Sequence, residues 1–390
     1  MLSGDPSRAV ATVDLDSIAA NFARVSEVGV PVMAVVKADA YGHGVDRVAP
    51  WLRHIGAEWL GVALPTEALA LRASGDRGRV LAWLWSPGDQ SIVDCVAADI
   101  DLSVSDGWSL AEVVEAARNL GRRARIHLKV DTGLARNGAA RSAWPALVEA
   151  AKAAQELGHV EVVGIWSHLG SADVPGDPRT DTQAAAFVAS LDEADAIGVQ
   201  PHLRHLSASA AALSRPDLAF DLVRSGIALY GLTPGERMGT AAELRLRPAM
   251  TLRARLALVK PVAAGTWVSY GGSWQVPTDT IVGLVPVGYG DGIPRAASNR
   301  VQVHIADRRC PIIGRVAMDQ FVVDLGPDAR DRAGDEVRCF GAGDLHEPTA
   351  DEWAESTDTI GYEIVTRVGP RIPRRYRAGD EVAQEWRRWN

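Results

Sequence analysis

The sequence predicts an α/β protein in which an N-terminal (β/α)8 barrel of the TIM type precedes a mainly β C-terminal domain. The chain has 390 residues, too many for one ordinary domain, and a barrel takes about 250 of them. Over residues 13–244, short apolar runs alternate with amphipathic segments at the spacing of βα units. Beyond residue 250, strand-like runs follow one another with little helical pattern between them.

The barrel prediction depends on eight strand-like runs. Between them lie segments such as 109–120 and 181–197, which carry Ala, Glu and Leu at helical spacing. No GxGxxG turn follows a run, so a barrel is favoured over a doubly wound sheet. We therefore expect the barrel over residues 12–246. Its strands are predicted in residues 32–36, 59–63, 80–85, 101–104, 125–130, 160–168, 203–206 and 223–230.

The C-terminal part of the chain, residues 247–390, is expected to form the mainly β domain, and residues 1–11 could pack on it. Turns rich in Gly, Pro, Asp and Asn separate most of its runs. The tail over residues 367–390 is rich in arginine and is expected at the surface. Strands are predicted in residues 251–262, 266–270, 280–287, 300–305, 310–325 and 336–340.

Composition excludes several classes of partner. Lys and Arg number 41 against 49 Asp and Glu, and the net charge of −8 gives no support for binding to nucleic acid or an anionic membrane. Cys95, Cys310 and Cys339 are an odd number without close pairing, which is typical of reduced structural thiols rather than a disulfide or zinc framework. Since neither a signal peptide nor a run of about 18 apolar residues is present, we expect a cytoplasmic protein that handles small molecules without a metal ion.

One lysine marks the predicted mouth of the barrel. Lys37 follows the apolar run 32–36 and precedes a turn-forming segment in the sequence AVVKADAYGHG, residues 34–44. At the carboxyl end of an interior strand, desolvation lowers the pKa of an amine and makes it a nucleophile that can form a Schiff base. A lysine that extends along apolar surface into water is an equally good interpretation of this residue alone.

Other polar side chains also follow apolar runs, where a barrel carries its reactive groups. Each has a simpler explanation. Lys129 could belong to a buried ion pair with Asp131, and Arg136 could be a surface residue. His168 could be a hydrogen-bonded core histidine. Ser209 could cap a helix, although a helix N-terminus is also a place where phosphate binds.

Arg224 is harder to explain as a structural residue. It interrupts the apolar run 222–230, and a buried guanidinium needs acceptors to be tolerated. In the predicted β domain, Tyr270 lies in a glycine-rich turn, and residues 288–292 and 314–319 also place polar groups between apolar stretches. Ordinary turns between strands explain all three segments equally well.

The segment VVKADAYGHG resembles the cofactor-lysine motif of the alanine racemase family of pyridoxal phosphate enzymes. Colinear blocks from about residue 13 to residue 375 extend the resemblance over nearly the whole chain. It implies a homodimeric racemase that interconverts L-alanine and D-alanine and supplies D-alanine for cell-wall precursors. Lys37 would hold pyridoxal 5'-phosphate as an internal aldimine. The residues that would bind the phosphate are Tyr41, Ser209, Gly226, Ile227 and Tyr362.

The resemblance also assigns a pair of proton-transfer groups. Lys37 would serve one enantiomer, and Tyr270 of the partner subunit would serve the other from the opposite face. A tyrosine with an ordinary pKa of about 10 is ionised in only about one molecule per thousand at pH 7. His168, counted among the cofactor-binding residues, would hydrogen-bond Tyr270 and, with Arg136, lower that pKa.

The remaining implied roles concern charge around the cofactor. Arg224 would donate to the pyridine nitrogen, which makes the ring a weaker electron sink than a carboxylate would. Arg136 and Met318 would lie near the substrate carboxylate and the cofactor phenolic oxygen. Lys129 resembles the lysine that many members carry as a carbamate. The chain departs from the family at Ala208, where Asn is usual, and at Gly290, where Ala is usual.

Three alternatives stay open beside alanine racemisation. A serine or broader-specificity racemase would keep the cofactor and the barrel, but Tyr270 and Tyr362 would narrow the pocket to a methyl group. An amino-acid decarboxylase of the same architecture would need an acidic partner where this chain has Arg224. A pyridoxal phosphate binding protein without turnover would leave the β-domain residues Tyr270 and Met318 without a role.

Overall fold

The computed structural model describes residues 7–379. Residues 1–6 of the predicted N-terminal addition and residues 380–390 of the predicted arginine-rich tail lie outside the described part. The first elements of the described chain are strand β1 (Ala9–Asp14) and helix α1 (Leu15–Ser26). The Asp14 side chain accepts hydrogen bonds from the backbone amides of Asp16 and Ser17, which caps this helix.

Eight parallel strands then form a nearly closed barrel, as predicted. Their order is β8-β7-β6-β5-β4-β3-β2-β9. The Arg224 amide donates to the Ser207 carbonyl oxygen at 2.9 Å, which joins the two ends of the sheet. The strands are β2 (Val32–Val35), β3 (Trp59–Val62), β4 (Arg79–Ala82), β5 (Asp101–Val104), β6 (Ala124–Lys129), β7 (Val160–Trp166), β8 (Leu203–His205) and β9 (Val223–Ser225).

Helices cover the outside of the barrel, which explains why several of its strands are buried on both faces. All residues of β2, β3 and β5 are buried. The helices between the strands are α2 (Lys37–Tyr41), α3 (Val45–His54), α4 (Pro65–Ala73), α5 (Ser91–Ala97), α6 (Gly107–Leu120), α7 (Trp144–Glu156), α8 (Pro178–Ile197) and α9 (Ser209–Ser214).

The second sheet has nine strands in the order β11-β12-β15-β14-β13-β16-β10-β1-β17, so the first strand of the chain belongs to it. Strand β1 is antiparallel to β10 and parallel to β17. Two short helices accompany this sheet, α10 (Ala350–Ser356) and α11 (Gly361–Thr366). The strands are β10 (Met250–Arg255), β11 (Leu258–Val262), β12 (Thr280–Val285), β13 (Gln302–Ile305), β14 (Arg308–Ile313), β15 (Phe321–Gly326), β16 (Glu336–Phe340) and β17 (Arg374–Arg377).

A buried asparagine joins the barrel to the segment that leads into the second sheet. The Asn21 side chain donates to the carbonyl oxygens of Leu229 and Arg247 at 3.1 and 2.9 Å, and it accepts from the Arg247 amide at 2.8 Å. These bonds satisfy backbone polar groups that lie outside both sheets. The domain boundaries at residues 12, 246 and 247 stay predictions.

Three strand predictions in the second half are wrong in detail. Residues 266–270 form no strand, since Ser269 has a φ of 61° and a turn begins there. The run 251–262 contains two strands, because β10 pairs with β1 and β16 whereas β11 pairs with β12. The run 310–325 is likewise divided into β14 and β15, with Gly314 at a φ of 72° after the first strand.

The described residues also bear on the composition-based expectations. Cys95, Cys310 and Cys339 are buried, free thiols. Burial raises the pKa of the Cys95 thiol to about 12, so this side chain is a core residue rather than a nucleophile. Across residues 7–379, we find no helix with the length and apolar character that a membrane crossing requires.

Candidate active site

A cavity of about 650 Å³ opens at the carboxyl ends of the barrel strands. Its walls come from the segments after β2, β6, β7, β8 and β9 and from α11 of the second sheet's domain. Ten of the twelve residues singled out from the sequence line it, namely Lys37, Tyr41, Lys129, Arg136, His168, Ser209, Arg224, Gly226, Ile227 and Tyr362. The barrel therefore brings together residues that lie up to 325 positions apart in the chain, from Lys37 to Tyr362.

Lys37 reaches this cavity because the backbone after it turns in an unusual direction. Ala38, Asp39, Ala40 and Tyr41 have φ values of 52–56°, in the left-handed region that costs about 1–2 kcal/mol per non-glycine residue. Side chains of other elements hold the turn. The Ala38 amide donates to the Glu67 carboxylate at 2.7 Å, and the Asp39 carboxylate accepts from the Val45 amide at 2.7 Å.

The Lys37 ammonium lies in a partly desolvated, cationic environment. Its Nζ atom is 5.8 Å from the centre of the Tyr41 ring and 5.9 Å from that of Trp83. Burial, and then the nearby charge of Arg136, lower the pKa of Lys37 below its ordinary value. A larger fraction of this amine is unprotonated at neutral pH than in a free lysine, as nucleophilic attack requires.

One end of the cavity presents hydroxyl groups and backbone amides. Ser209 Oγ accepts from the Gly226 amide at 2.9 Å and lies 3.2 Å from Ser225 Oγ. A Cβ atom at position 226 would overlap the Tyr41 hydroxyl oxygen, so the close approach of this tyrosine requires glycine. The Tyr41 ring packs 6.2 Å from the ring of Tyr362, which α11 contributes. Burial raises the pKa of both phenols, so they remain hydroxyl donors at neutral pH.

Arg224 lies beneath the cavity and is only 4% exposed. Its Nη1 donates to the carbonyl oxygen of His205 at 2.9 Å, and its Nη2 donates to those of Ser167 and Leu206 at 2.8 and 2.9 Å. The guanidinium also lies over the Trp166 ring, 4.7 Å from its centre. These bonds occupy Nη1 and Nη2 and leave Nε as the donor for a group in the cavity.

Neutral groups therefore accept the hydrogen bonds of the charged Arg224 side chain. Burial lowers the pKa of Arg224 to about 9, which still leaves the guanidinium protonated at neutral pH. Within residues 7–379, the acceptors that the sequence required for a buried guanidinium are backbone carbonyls and imidazole nitrogen rather than a carboxylate.

Lys129 and His168 add further nitrogen groups to the same wall. Within residues 7–379 the Lys129 ammonium forms no ion pair, and it lies 4.1 Å from the centre of the Trp166 ring. The Asp131 carboxylate instead accepts from the amides of Gly133 and Ala135, so the described residues do not show the ion pair with Asp131 that the sequence left open for Lys129.

Burial and nearby positive charges lower the pKa values of Lys129 and His168. Burial, followed by the charges of Arg224 and Arg136, lowers the pKa of Lys129 to about 7. The same causes hold the pKa of His168 well below its usual value, so this imidazole is neutral. A surplus of positive charge around a half-buried cavity favours anionic ligands such as phosphate and carboxylate.

Arg136 lies at the rim of the cavity with an exposed side chain. It also borders a neighbouring cavity of about 680 Å³ whose walls include Trp83, Trp85 and Trp108. Its exposure agrees with the simpler prediction of a surface arginine, but its position at the mouth of both cavities lets it bind an anion that enters.

Two predicted site residues lie apart from this cavity. Tyr270 and Met318 belong to the second sheet's domain, and their exposed fractions are 71% and 53%. The Tyr270 turn is anchored by Ser269 Oγ, which donates to the Arg315 carbonyl oxygen at 2.6 Å. The cavity of the described chain is therefore lined by Lys37 but by neither Tyr270 nor Met318 of the same chain.

The two departures from the family pattern have local explanations. A Cβ atom at Gly290 would lie 2.8 Å from Arg371 Nη1 and 3.0 Å from the Met318 carbonyl oxygen, so glycine allows Arg371 to approach. Arg371 in turn pairs with Asp319 at 2.7 Å. At position 208, the methyl side chain of Ala208 offers Arg224 no hydrogen bond.

Sequence reasoning missed a set of buried residues behind Arg224. His205, His127 and Asp101 are joined to it by hydrogen bonds, and Trp166 packs against the group. The available signal was the same as for Arg224, because Asp101 and His127 are titratable residues inside runs predicted as buried strands.

Comparison with known proteins places the chain among described relatives. The model for the alanine racemase N-terminal domain matches residues 13–234, and that for the alanine racemase C-terminal domain matches residues 249–376. Alanine racemase of Frankia casuarinae is 50% identical over 378 residues, covering 96% of this chain and 97% of the relative. Alanine racemase of Thermobifida fusca is 49% identical over 372 residues, with coverages of 95% and 98%.

Solved structures give the same result. Alanine racemase from D-cycloserine producing Streptomyces lavendulae superposes with a TM-score of 0.94 at 50% identity, covering 97% of this chain and 99% of that one. Alanine racemase from Bartonella henselae with covalently bound pyridoxal phosphate superposes with a TM-score of 0.84 at 27% identity, with coverages of 95% and 100%.

Proposed function

The chain belongs to the alanine racemase family of enzymes, and we propose that it interconverts L-alanine and D-alanine with pyridoxal 5'-phosphate as cofactor. The observation that carries the proposal is one cavity that brings together Lys37, whose pKa is lowered, the hydroxyl groups of Tyr41 and Ser209, and the buried guanidinium of Arg224. D-Alanine made in this way would supply cell-wall precursors.

The residues present fit the cofactor in three respects. Tyr41 and Ser209 hydroxyls and the backbone around Gly226 and Ile227 form the end that suits a phosphate group. The Arg224 Nε donor suits a pyridine nitrogen, which accepts one hydrogen bond. Lys37 offers the amine for covalent attachment, with its pKa lowered by burial. When bound, the cofactor supplies an electron sink that acidifies the α-proton of an attached amino acid.

This chain's own residues then have to bind the substrate and move one proton. Arg136, at the rim, would bind the substrate carboxylate, since guanidinium and carboxylate pair through two parallel hydrogen bonds. Lys37 Nζ, once free of the cofactor, would take the α-proton on one face or return it there. Tyr362, whose ring stands beside Tyr41, would limit the size of the substrate side chain.

Racemisation also requires a proton donor and acceptor on the opposite face. We propose that Tyr270 of the partner subunit supplies it in a homodimer, because the same chain's Tyr270 is exposed and borders no part of the barrel cavity. Met318 of the partner subunit would approach the substrate in the same way. His168 is neutral, and its Nδ1 lies 3.4 Å from the donor Arg224 Nη2, so its proton is on Nε2. This N–H would donate a hydrogen bond to the phenolate oxygen of Tyr270 and so favour loss of the phenol proton.

Lys129 is proposed to carry a carbamate. Its pKa of about 7 leaves about half of the amine unprotonated at neutral pH, which is the form that reacts with carbon dioxide. A carbamate would replace a buried positive charge with a negative one next to Arg136, which contributes to the low pKa of Lys129. The change would relieve the like-charge repulsion in this wall.

The test is turnover by the purified, yellow protein across a panel of L-amino acids, with borohydride-reduced protein mapped by mass spectrometry. We expect D-alanine to form from L-alanine, serine and larger amino acids to be racemised much more slowly, and the reduced cofactor to be attached to Lys37. Racemisation of serine faster than that of alanine would favour the broader racemase. Cofactor attached to Lys37 without racemisation of any amino acid would favour a binding protein.

A further inference from the structure

A continuous row of hydrogen-bonded side chains crosses the barrel interior and ends on Arg224. Asp101 Oδ2 lies 3.2 Å from His127 Nε2, and His127 Nδ1 lies 2.9 Å from His205 Nε2. His205 Nδ1 lies 3.1 Å from Arg224 Nη1. The first three side chains are fully buried, and Arg224 is almost so. We call these four residues the buried row; they come from β5, β6, β8 and β9.

The Asp101 end of the row can only accept hydrogen bonds. Arg79 Nη2 and Arg125 Nε donate to its carboxylate at 2.8 and 2.7 Å. Burial would raise the pKa of Asp101, but the hydrogen bond from His127 and the charges of Arg125 and Arg79 hold that pKa below its ordinary value. The carboxylate is therefore ionised at neutral pH and offers no proton.

The Arg224 end can only donate, because a guanidinium has no acceptor. The two ends together determine the proton positions between them. His127 must donate from Nε2 to Asp101 and accept at Nδ1 from His205 Nε2. His205 then accepts at Nδ1 from Arg224. A second proton on either imidazole would oppose two donors at one of these contacts, so both rings are neutral and carry their proton on Nε2.

Packing holds the two imidazoles in this orientation. The Trp166 ring is stacked on His205 at 5.5 Å between centres and 7° between planes. The Trp59 ring meets His127 edge-on at 5.5 Å. A Cβ atom at Gly164 would overlap His127 Nδ1, so glycine makes room for the ring. Burial, and then the charge of Arg224, keep the pKa of His205 well below its usual value, in agreement with a neutral ring.

We propose that Asp101 is a positioning residue which, through His127 and His205, keeps an acceptor nitrogen facing Arg224 and so holds this guanidinium in place under the cavity. Within residues 7–379, the partners of Arg224 are three carbonyl oxygens and the Nδ1 atoms of His205 and His168, at 3.1 and 3.4 Å, and none is a carboxylate. Asp101 is the negative group at the far end of the hydrogen-bonded row. Hydrogen bonds in a row polarise one another in a low dielectric, so the carboxylate strengthens the last bond as well as the first. The part of the inference that concerns the reaction rests on the proposed function, since it needs Arg224 to contact the cofactor.

The proton positions of both imidazoles can be measured directly in the parent holoenzyme. Long-range proton–nitrogen NMR spectra of protein labelled with nitrogen-15 in its histidine rings separate protonated from unprotonated ring nitrogens. The signals are assigned by their loss in the His127→Asn and His205→Asn variants. At pH 7 we expect both residues to carry one proton, on Nε2. A proton on Nδ1 of either residue, or two protons on either ring, overturns the inference.

The Asp101→Asn variant tests whether Asp101 determines the proton positions of His127 and His205. The amide is close in shape to the carboxylate but puts a donor in place of one oxygen. At the Oδ2 position this donor faces His127 and the donor Arg79, and at the Oδ1 position it faces the donor Arg125. If it faces His127, both imidazoles must reverse and His205 presents a proton to Arg224. We expect a changed His205 signal, a changed absorption spectrum of the bound cofactor, and a fall in kcat of about tenfold or more with a smaller change in KM, comparable to the loss of outer partners of metal-bound histidines.

Asp99→Asn is the matched control. Asp99 lies at the same end of the barrel, pairs with Arg122 and Arg125 at 3.1 and 3.6 Å, and is 57% exposed. It makes no hydrogen bond to a histidine of the buried row, so its variant should keep the parental spectra and kcat. An Asp101→Asn enzyme that keeps the parental His205 signal, cofactor spectrum and kcat overturns the positioning role.

The outcome is separable from that of the proposed function. If the parent holoenzyme does not racemise alanine, the proposed function fails, while the NMR spectra still report the proton positions of His127 and His205. If the parent racemises alanine and the rings carry their protons elsewhere, the proposed function stands and this inference fails.

Discussion

The hydroxyl oxygen of Tyr41 occupies the space that a Cβ atom at Gly226 would need. The two residues are 185 positions apart, and their contact closes the hydroxyl-rich end of the cavity. It exists because the left-handed turn after Lys37 directs Tyr41 inward while β9 ends at Ser225. A substitution at Gly226 would disturb this contact.

Gly226→Ala should weaken cofactor binding while the fold is kept. The added methyl group must displace Tyr41, and overpacking of this kind costs about 1–3 kcal/mol, which corresponds to about 5- to 150-fold in affinity. Absorbance titration of the cofactor-free protein measures the change. Gly107→Ala is the control, since nothing lies within 4 Å of its added Cβ. Equal affinity of the two variants would show that Tyr41 does not help to hold the cofactor.

A mixture of Lys37→Ala and Tyr270→Phe chains should recover activity that neither variant has alone. If each site uses Lys37 of one chain and Tyr270 of its partner, a mixed dimer contains one site with both groups. Random exchange makes half of the dimers mixed, so about a quarter of the parental rate is expected.

The control for that mixture is Lys37→Ala combined with the Lys37→Ala/Tyr270→Phe double variant, which contains no complete site. Single variants are expected to lose about 10²- to 10⁴-fold in kcat, as removal of a general acid or base does. A mixture no more active than its parts would mean that the two groups do not meet across subunits.

Arg224→Glu should change what the enzyme makes as well as how fast. A guanidinium cannot pass a proton to the pyridine nitrogen, whereas a carboxylic acid can, which makes the ring a stronger electron sink. We expect slower racemisation and more pyruvate from transamination for each D-alanine formed. The ratio of pyruvate to D-alanine is the measurement, and a parental ratio in a folded variant would contradict the role given to Arg224.

Lys129→Met should stabilise the protein near neutral pH in buffer free of bicarbonate. The folded protein holds the pKa of Lys129 at about 7, against an ordinary value of 10.5. Between those values the unfolded state binds more protons, so the free energy of unfolding of the parent rises with pH from about 7 to 10.5. The variant lacks this penalty, which is on the order of a few kcal/mol.

The gain in free energy of unfolding, measured by urea denaturation, should therefore be largest at or below pH 7 and disappear above about pH 10.5. Lys260→Met, at an exposed position, is the control. A gain that does not depend on pH would indicate better packing of the methionine instead of removal of a buried charge.

Much of the cavity was predictable because its residues can be recognised from the sequence immediately around them. Lys37, Lys129 and His168 each follow an apolar run, and in a parallel barrel every such position faces the same end. Arg224 stood out because a guanidinium inside an apolar run needs acceptors. The backbone of residues 38–41 was not predictable, because four consecutive non-glycine residues of ordinary type adopt φ values that sequence rules assign to glycine.

The amino-acid sequence by itself determined the alternation of strands and helices, the change to a mainly β region in the second part of the chain, and the identity of most residues that line the cavity. These features depend on local periodicity and on polar groups at strand ends. Only the tertiary structure decided which groups touch. The buried row joins Asp101, His127, His205 and Arg224 through contacts that span 26, 78 and 19 positions of the chain. Such contacts follow from the closure of the barrel, which no local pattern encodes.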